Sequence, residues 1–365
     1  MNRPATNASI DPTALHDWLA TEAARSPSVP ALLAGVCNRA VEGGLMLSSA
    51  SLEVAALNPL LARITVDWSA ETGRAAERFV FHTGLGASLP GLTEGGGMAE
   101  PGLVTPLTFS DGSRHVLQWS GAEPAERPLF EDLAARLATP LEVLVQRETL
   151  SVVAETYLGR RSAGRVLEGA MTRGAGETID AVLWASDIRG FTELSGRLPG
   201  GQVIALLNAY FERQAGPIKA FGGEVLKFIG DGLLAIFPTL DDPRAAADRA
   251  LKAVRSARGA IDTDRERRRA AGEPDPEFGI ALHVGPVIYG NIGAPDRLDF
   301  TVIGPTVNHA SRLEGQCKRL RVPVLLSRQL ADLASEPMHA LPSVRLDGID
   351  RPVEIATLPE YAPAP

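Results

Sequence analysis

The spacing of apolar residues divides the chain into two blocks that are joined by a helical stretch. In the first block, one amphipathic helix is predicted after Asp11-Pro12, and a second follows Pro30 and ends near Gly43-Gly44. Short strands bounded by Gly, Pro and Asp are then predicted over residues 45–57, 62–68, 78–82, 103–109 and 114–119. Helices around a sheet of hairpins indicate an α+β domain over residues 11–127, and we interpret the polar residues 1–10 as disordered.

The spacing becomes helical again from Pro128. Four leucines at three- and four-residue intervals form one apolar stripe, Leu133, Leu137, Leu141 and Leu144. Pro140 is expected to kink this segment or to divide it into two helices. The stripe is compatible with a dimeric coiled coil and equally with a final helix packed on its own domain. We interpret residues 128–177 as a helical linker that must carry any signal between the two blocks.

The second block covers residues 178–358 and is followed by a tail, residues 359–365. It begins with a continuous apolar run at 181–185, which is typical of a strand buried on both faces. Helices are predicted over 191–195, 202–221, 242–271 and 306–316, and strands over 278–284, 287–289, 299–303, 322–326 and 351–358, with a turn at 290–293. A hairpin lies between the second and third of these helices.

That hairpin runs from Glu224 to Phe237 and turns at Gly230-Asp231-Gly232. Asp-Gly between apolar runs is the strongest local hairpin signal. Because strand side chains alternate with period two, Lys227 is expected on the same face as Val225 and Ile229. Taken alone, the pattern is also that of an ordinary turn beside a lysine whose charge reaches solvent.

The order of elements brings two carboxylates together. A right-handed helical crossover makes the strand at 181–185 parallel to the first hairpin strand, and the second hairpin strand then lies between them. Asp187, at the end of the first strand, and Asp231, at the hairpin turn, should therefore meet at one edge of the sheet. Paired carboxylates suit Mg²⁺ or Mn²⁺ together with substrate phosphates. Asp187 by itself could equally be a helix N-cap.

One further pair lies on the last predicted helix. Asn308 and Arg312 are four residues apart and share a helical face. Arginine offers a planar fork of donors for phosphate oxygens, and asparagine offers both a donor and an acceptor. A surface hydrogen-bonded pair is the alternative interpretation. We assign no role to His309, which is typical of a surface or packing histidine.

Composition limits the classes of function. A chain of 365 residues exceeds the size of one hydrophobic core, and its 45% hydrophobic and 22% charged residues are those of a globular protein. The net charge of −8 argues against nucleic acid or anionic membrane as a partner. We find no apolar run of the roughly 18–20 residues that a membrane helix needs and no apolar signal core. Two distant cysteines, Cys37 and Cys317, form neither a disulfide framework nor a metal cluster, so a cytoplasmic location is expected.

Three motifs resemble those of the class III nucleotidyl cyclases: Ser186-Asp-Ile-Arg-Gly-Phe-Thr192, Lys227-Phe-Ile-Gly-Asp231 and Thr306-Val-Asn-His-Ala-Ser-Arg312. The resemblance covers residues 178–358 and implies a ferredoxin-like, palm-type α+β catalytic domain. It implies conversion of ATP to cyclic AMP and pyrophosphate in sites shared across a head-to-tail homodimer.

The resemblance also implies a role for each matching residue. Asp187, Asp231 and the Ile188 carbonyl would hold two Mg²⁺ or Mn²⁺ ions, and Lys227 would read the purine. The other implied substrate and catalytic residues are Asn308 at the ribose, Arg312 at the transition state, Thr301 at the purine, and Phe191 and Thr192 as further substrate contacts.

Two departures from the family pattern matter. The second purine-reading position, often Asp, is Thr301, and a Thr-bearing subgroup of the family exists. Lys227 with Thr301 favours adenine, because threonine can accept from the adenine amino group and lysine cannot accept from the guanine amine. A phosphate-binding lysine is also common near the last strand, but residues 345–351 contain none, and either Arg345 or Arg351 could substitute.

The first domain resembles a GAF-type sensor in outline only. His82, His115 and Cys37 are isolated, so we assign no cofactor to it. The leading interpretation is an adenylate cyclase regulated by this domain in response to a small molecule or a protein. Guanylate cyclase and a catalytically silent nucleotide-binding regulator remain the alternatives. A palm-fold polymerase or diguanylate cyclase ranks last, since the signature Gly-Gly-Asp/Glu-Glu-Phe is missing.

Overall fold

A computed structural model describes residues 13–55, 61–81, 102–169, 174, 176–294 and 296–363. The chain divides into two units, residues 1–153 and residues 154–365, and each is described by itself. The disorder expected for residues 1–10 and the isolated His82 lie outside the described residues.

The first unit is an antiparallel sheet with helices before and after it. Its elements are helices α1 (Thr13–Thr21) and α2 (Val29–Glu42), strands β1 (Ser49–Ala55), β2 (Leu61–Ser69), β3 (Arg74–Phe81), β4 (Leu103–Thr108) and β5 (Arg114–Ser120), and the start of helix α3 (Arg127–Leu158). The strands pair antiparallel in the order β3-β2-β1-β5-β4. Burial alternates along β4, as expected for a sheet with one face on the core.

The leucine stripe of α3 packs inside the first unit. All four leucines are buried in the same core as Trp68 and Trp119, so the interpretation as a helix packed on its own domain is correct for this stripe and the coiled coil is wrong. Of the two alternatives expected at Pro140, a kink or a division, the division is wrong, because α3 runs unbroken through this residue. Leucines on both sides of Pro140 enter one core, and this packing offsets the backbone hydrogen bond that proline removes.

The second unit is a mixed sheet with helices on both faces. Its elements are α4 (Arg160–Leu167), β6 (Gly176–Ile188), α5 (Phe191–Arg197), α6 (Gly200–Ala220), β7 (Glu224–Ile229), β8 (Gly232–Pro238), α7 (Pro243–Ala270), β9 (Phe278–Ala294), β10 (Arg297–Ile303), α8 (Pro305–Leu320), β11 (Val324–Ser327), α9 (Arg328–Leu333), β12 (His339–Val344) and β13 (Val353–Thr357). The strand order is β12-β13-β11-β9-β6-β8-β7, and β10 pairs with β9.

The strand arrangement around β6 agrees with the predicted topology. β8 lies between β6 and β7 and is antiparallel to both. Along β6, Val182 and Trp184 enter the core under α6 and α7, whereas Ala181 and Leu183 enter the opposite core with Ala310 of α8. The apolar run is therefore a strand buried on both faces.

Three local predictions are corrected. Residues 278–294 form one strand, and the turn expected at 290–293 lies inside it, paired with β10. Gly293, with φ +146°, permits this close pairing, because a Cβ there would lie 2.2 Å from the Arg297 carbonyl oxygen. The short elements α9 and β12 were not predicted. β12 is mostly exposed and so lacks the apolar alternation that identifies a strand.

A bulge in β7 corrects the expected placement of Lys227. The register shifts between Val225 and Lys227, so period-two alternation does not hold across them. Val225 packs toward the core under α6 and α7, Leu226 packs in the opposite core, and Lys227 reaches β10.

The described helices include none that combines the length and the apolar character needed to cross a membrane. Residues 359–361, expected as a tail, form a short 3-10 helix, and Tyr361 packs against the core of the second unit.

Candidate active site

Asp187 and Asp231 meet at one edge of the sheet. Asp187 is the penultimate residue of β6, and Asp231 lies in the turn that joins β7 to β8 after Gly230, whose φ is +62°. Burial, a hydrogen bond to the Asp231 carboxyl and the Asp231 charge raise the pKa of Asp187 to about 7. Two carboxyls in direct contact need a proton or a cation between them. The convergence predicted from topology is confirmed.

The donor set at this edge fits a hard divalent cation. The Asp187 and Asp231 carboxylates and the Ile188 backbone carbonyl offer only oxygen atoms as ligands. Oxygen ligands suit Mg²⁺ or Mn²⁺. No cluster of three or more His, Cys, Asp and Glu side chains that could hold a metal occurs in the described ranges. Sites of the Mg²⁺ type leave positions for water and substrate phosphates, so a set of two carboxylates is adequate.

Glu314 is a third carboxyl at this edge and was missed from sequence. It lies over Gly279, the residue paired with Asp187 on β9, because a Cβ at Gly279 would be 2.6 Å from Glu314 Oε1. Burial and the charges of Asp187 and Asp231, opposed by Arg189, raise its pKa to about 7. Glu314 is two positions after Arg312, so the two side chains leave α8 on opposite faces. The sequence carried no signal for the position of Glu314, which depends on the space that Gly279 leaves beneath it.

Lys227 lies on β7 and Thr301 on β10, two strands of the second unit that contact each other without pairing. Lys227 Nζ pairs with Asp299 Oδ2, a partner that sequence reasoning did not find. Thr301 is only 5% exposed, and its Oγ1 has no hydrogen-bond partner in the described part of the chain. A buried hydroxyl without a partner is costly, which makes Thr301 Oγ1 a good candidate for a ligand contact.

Asn308 and Arg312 are both exposed on α8. Arg312 is not ion-paired within the described ranges. Its guanidinium lies against Gly348, where a Cβ would be 3.2 Å from Nη2. Arg312 therefore borders the 345–351 segment, in which Arg345 and Arg351 are exposed. The same segment also carries the exposed carboxylates Asp347 and Asp350.

Phe191 and Thr192 are the first two residues of α5, directly after the carboxylate edge. The Phe191 ring packs against the core, so its backbone is what remains for a substrate contact. Thr192 is exposed, and its carbonyl accepts a hydrogen bond from the Ser195 hydroxyl at 3.1 Å.

His309 is a packing residue. Its ring stacks on buried His283 with centroids 4.0 Å apart. Burial lowers the pKa of both rings, that of His283 to about 3, so both stay neutral near pH 7.

We expect Asp187→Asn to make the metal-free protein more stable than wild type at high pH. The folded-state pKa of Asp187 lies above its ordinary value of 3.8, so the carboxyl costs stability as pH rises through the interval up to about 7. The melting temperature of Asp187→Asn minus that of wild type should therefore increase between about pH 5 and about pH 8 in a chelator. A difference that stays constant with pH would contradict the contact between the two carboxyls.

The second unit is defined by a palm-type sheet with two apposed aspartates at its edge, and by a helix that carries Asn and Arg one turn apart. This is the architecture of a nucleotidyl cyclase catalytic domain. Residues 177–337 match the family model of the adenylate and guanylate cyclase catalytic domain, and this part of the chain belongs to that family.

Curated proteins from two bacteria are similar to this chain over half of its length or more. An uncharacterized protein of Mycobacterium tuberculosis is 33% identical over 217 residues, which cover 58% of this chain and 38% of that protein. An adenylate cyclase of Anabaena cylindrica is 33% identical over 186 residues, 50% of this chain and 35% of that protein. The chain thus spans less than two fifths of the length of these curated relatives.

A bacterial light-regulated adenylyl cyclase structure covers 71% of this chain and 86% of its own, with a TM-score of 0.54 and 22% identity, which shows a shared fold. The family match begins at residue 177, so the GAF-type likeness of the first unit stays a prediction.

Proposed function

We propose that the protein is an adenylate cyclase that converts ATP to 3′,5′-cyclic AMP and pyrophosphate. The observation that carries this proposal is the contact between Asp187 and Asp231 within a domain of the cyclase family. The alternatives are a guanylate cyclase, since the family includes both activities, and a silent nucleotide-binding regulator.

Asp187, Asp231 and the Ile188 carbonyl would hold the divalent cations together with the triphosphate. Two Mg²⁺ or Mn²⁺ ions, when bound, lower the pKa of the ribose 3′-hydroxyl and offset the charge of the leaving pyrophosphate. The raised pKa of Asp187 means that a proton must leave the carboxyl pair before a cation can bind well.

Asn308 and Arg312 would act on the sugar and the reacting phosphate. Asn308 has both a donor and an acceptor for the ribose hydroxyl and ring oxygens, and this fixes the sugar. Arg312 brings a permanent positive charge to the α-phosphate, where negative charge increases in the transition state. Its freedom from ion pairs within the described ranges leaves all its donors available.

The purine contacts favour adenine. Lys227 would donate to a ring nitrogen, and Thr301 Oγ1, which has no internal partner, would accept from the exocyclic amine. Asp299, two positions before Thr301 on β10, pairs with Lys227 in the protein without substrate. Guanine carries a ring N–H where adenine carries an acceptor nitrogen, and a carbonyl where adenine carries an amine. The Lys227 ammonium would therefore face the guanine ring N–H, and two donors cannot form a hydrogen bond with each other.

The sites are proposed to be shared across a head-to-tail homodimer. Phe228 and Ile229, at the end of β7, are 52% and 60% exposed. Further exposed apolar residues lie on the paired strands β9 and β10, namely Ile288, Leu298 and Ile303. Exposed apolar residues on these three strands are suited to a protein interface. One protomer would supply the carboxylates and its partner Asn308 and Arg312.

The first unit is proposed to regulate the catalytic unit from the cytoplasm, in response to a small molecule or a protein. Helix α3 is continuous from the core of the first unit to Leu158, and only Gly159 separates it from α4 of the second unit. A continuous helix is a suitable element for transmitting a displacement along its axis. No membrane span and no nucleic acid enter this proposal.

The purified full chain with Mn²⁺ should form cyclic AMP with a kcat/KM at least about tenfold above that for cyclic GMP from GTP. The two products are measured by chromatography. Faster turnover of GTP would identify a guanylate cyclase, and nucleotide binding without turnover would identify the silent regulator.

Thr301→Val is the matched variant for this prediction. It removes Oγ1 at nearly constant volume, and because that atom has no partner in the described part of the chain, the melting temperature should not fall. The ATP preference should decrease nonetheless. An unchanged preference would exclude Thr301 from the purine contact.

A further inference from the structure

Helix α4, which directly precedes the sheet of the second unit, is hydrogen-bonded to the Glu224 carboxylate of β7. Glu224 Oε1 accepts hydrogen bonds from the backbone N–H groups of Arg161 and Ser162 at 3.2 and 3.3 Å, and from the Ser162 hydroxyl at 3.5 Å. The first N–H groups of a helix have no partner within the helix, and a negative charge there is favourable. Glu224 therefore caps α4 from another element.

The junction leaves room only for glycine at residue 159. Gly159 has φ +81°, and a Cβ there would lie 2.9 Å from Glu224 Oε1. The chain must pass this point to enter α4 from α3. The turn between the two helices is thus built around the Glu224 carboxylate.

Other contacts of α4 reach β9 and β6. The Ser162 hydroxyl hydrogen-bonds the Tyr289 hydroxyl at 3.0 Å in a fully buried position. Arg165 pairs with Glu177, at the start of β6, at 3.3 Å. Of these contacts, Glu224 is the one that reaches the hairpin carrying Lys227 and Asp231.

Only one of the two Glu224 carboxylate oxygens, Oε1, has hydrogen-bond partners within the described residues. Oε2 is buried and has no hydrogen-bond partner in the described ranges. Burial raises the pKa of Glu224, whereas the N–H groups of Ser162 and Arg161 oppose that shift. A buried carboxylate oxygen without a partner is costly, so the Glu224 contact stabilises the junction less than a fully paired carboxylate would.

The start of β7 depends on this junction. Among the strands that the structure describes, β7 is the last on its side of the sheet and pairs with β8 alone. The bulge between Val225 and Lys227 separates Glu224 from the purine-reading lysine. A bulge is a point where register can change, so a displacement at Glu224 can reorient Lys227 while β8 and Asp231 stay in place.

We propose that Glu224 is a positioning residue for ATP: while it caps α4 it holds β7 in the register that points Lys227 at the purine. Displacement of α4 releases β7 and weakens ATP binding. The proposal deepens the proposed function and rests on it, since Lys227 must read adenine. The junction between α4 and β7 would then control both the affinity for ATP and the choice between adenine and guanine.

The test compares Glu224→Ala with Glu224→Gln in the full chain with Mn²⁺. Glu224→Ala removes the cap and should raise the KM for ATP about tenfold with a smaller change in kcat, because binding is lost before chemistry. Glu224→Gln keeps an oxygen that can accept from the helix N–H groups and should remain near the wild-type KM. Glu212→Ala, an exposed glutamate on α6, is the matched control.

A double-mutant cycle with Lys227→Ala separates positioning from a general loss of structure. If Glu224 acts through Lys227, adding Glu224→Ala to Lys227→Ala should change the KM for ATP by less than about twofold. Fully additive effects, or a fall in kcat at constant KM, would overturn the proposal. If Glu224→Ala does not fold, a Glu224→Gln protein with a tenfold raised KM also overturns it, since its cap is retained.

The wild-type protein keeps the two hypotheses distinguishable. If the wild-type protein turns over ATP and Glu224→Ala has the wild-type KM, the role of Glu224 is overturned and the proposed cyclase activity is not. Absence of any cyclase turnover by wild type would instead overturn the proposed function.

Discussion

Asp187→Asn and Asp231→Asn should each reduce cyclase turnover by about a thousandfold or more. The cations that these carboxylates would hold contribute several kcal/mol to the transition state, and each 1.36 kcal/mol is a factor of ten in rate. Asparagine keeps the size of each side chain but loses the charge. Cyclic AMP formation at saturating ATP and Mn²⁺ measures the loss.

The matched control for this prediction is Asp180→Asn. Asp180 is an exposed aspartate on the same strand as Asp187 but seven positions from it, where its carbonyl accepts a hydrogen bond from Thr239. Turnover by Asp180→Asn should stay within about twofold of wild type. If Asp187→Asn retained a tenth of the wild-type rate, the carboxylate pair would not be the metal site.

Mixing two inactive variants should restore activity. In a shared-site dimer, Asp187→Asn lacks the carboxylate half of each site and Arg312→Ala lacks the helix half. Half of the randomly mixed dimers are heterodimers, each with one intact site of two, so about a quarter of the wild-type rate should return. Cyclic AMP formation is measured after the mixed subunits have exchanged.

Two variants from the same half cannot complement each other. Asp187→Asn mixed with Asp231→Asn should therefore stay inactive, and this mixture is the control. If Asp187→Asn with Arg312→Ala also stays inactive while the two proteins form heterodimers, each site is built within one protomer. The head-to-tail arrangement would then be wrong.

The carboxylate pair could be found from sequence because it follows from chain topology. Asp187 and Asp231 are far apart along the chain, but the handedness of the crossover and the position of a tight turn place both at one edge. These constraints act on whole elements, so they hold even where the boundaries of single strands are uncertain. Helical periodicity, a different rule, placed Asn308 and Arg312 on one helical face.

Glu314 and Asp299 could not be found in this way. The position of Glu314 depends on Gly279 leaving space beneath it, and the position of Asp299 depends on β10 lying next to a bulged β7. A bulge changes which side chains share a face without leaving a signal in the apolar pattern. Single tertiary contacts of this kind are decided by packing and not by periodicity.

The leucines of α3 illustrate a second limit. A stripe at three- and four-residue spacing indicates an amphipathic helix, but it does not indicate what the stripe packs against. Leu133 and Leu141 enter the core of their own unit, and an identical stripe could have served a dimer. The glycines of 290–293 were likewise read as a turn, although Gly293 permits close strand pairing.

The ion pair between Lys227 and Asp299 would compete with the purine that Lys227 is proposed to bind. Asp299 is 57% exposed, and a pair open to solvent stabilises by about 0–1 kcal/mol. If adenine must displace this partner, ATP affinity falls by no more than about fivefold, because RT is about 0.59 kcal/mol. In return the lysine side chain is already ordered by Asp299 when the nucleotide arrives, so little rotamer entropy is lost on binding. The Lys227–Asp299 ion pair therefore lowers ATP affinity slightly but orders the lysine donor in advance. Added salt should weaken both the competition with ATP and the ordering of Lys227.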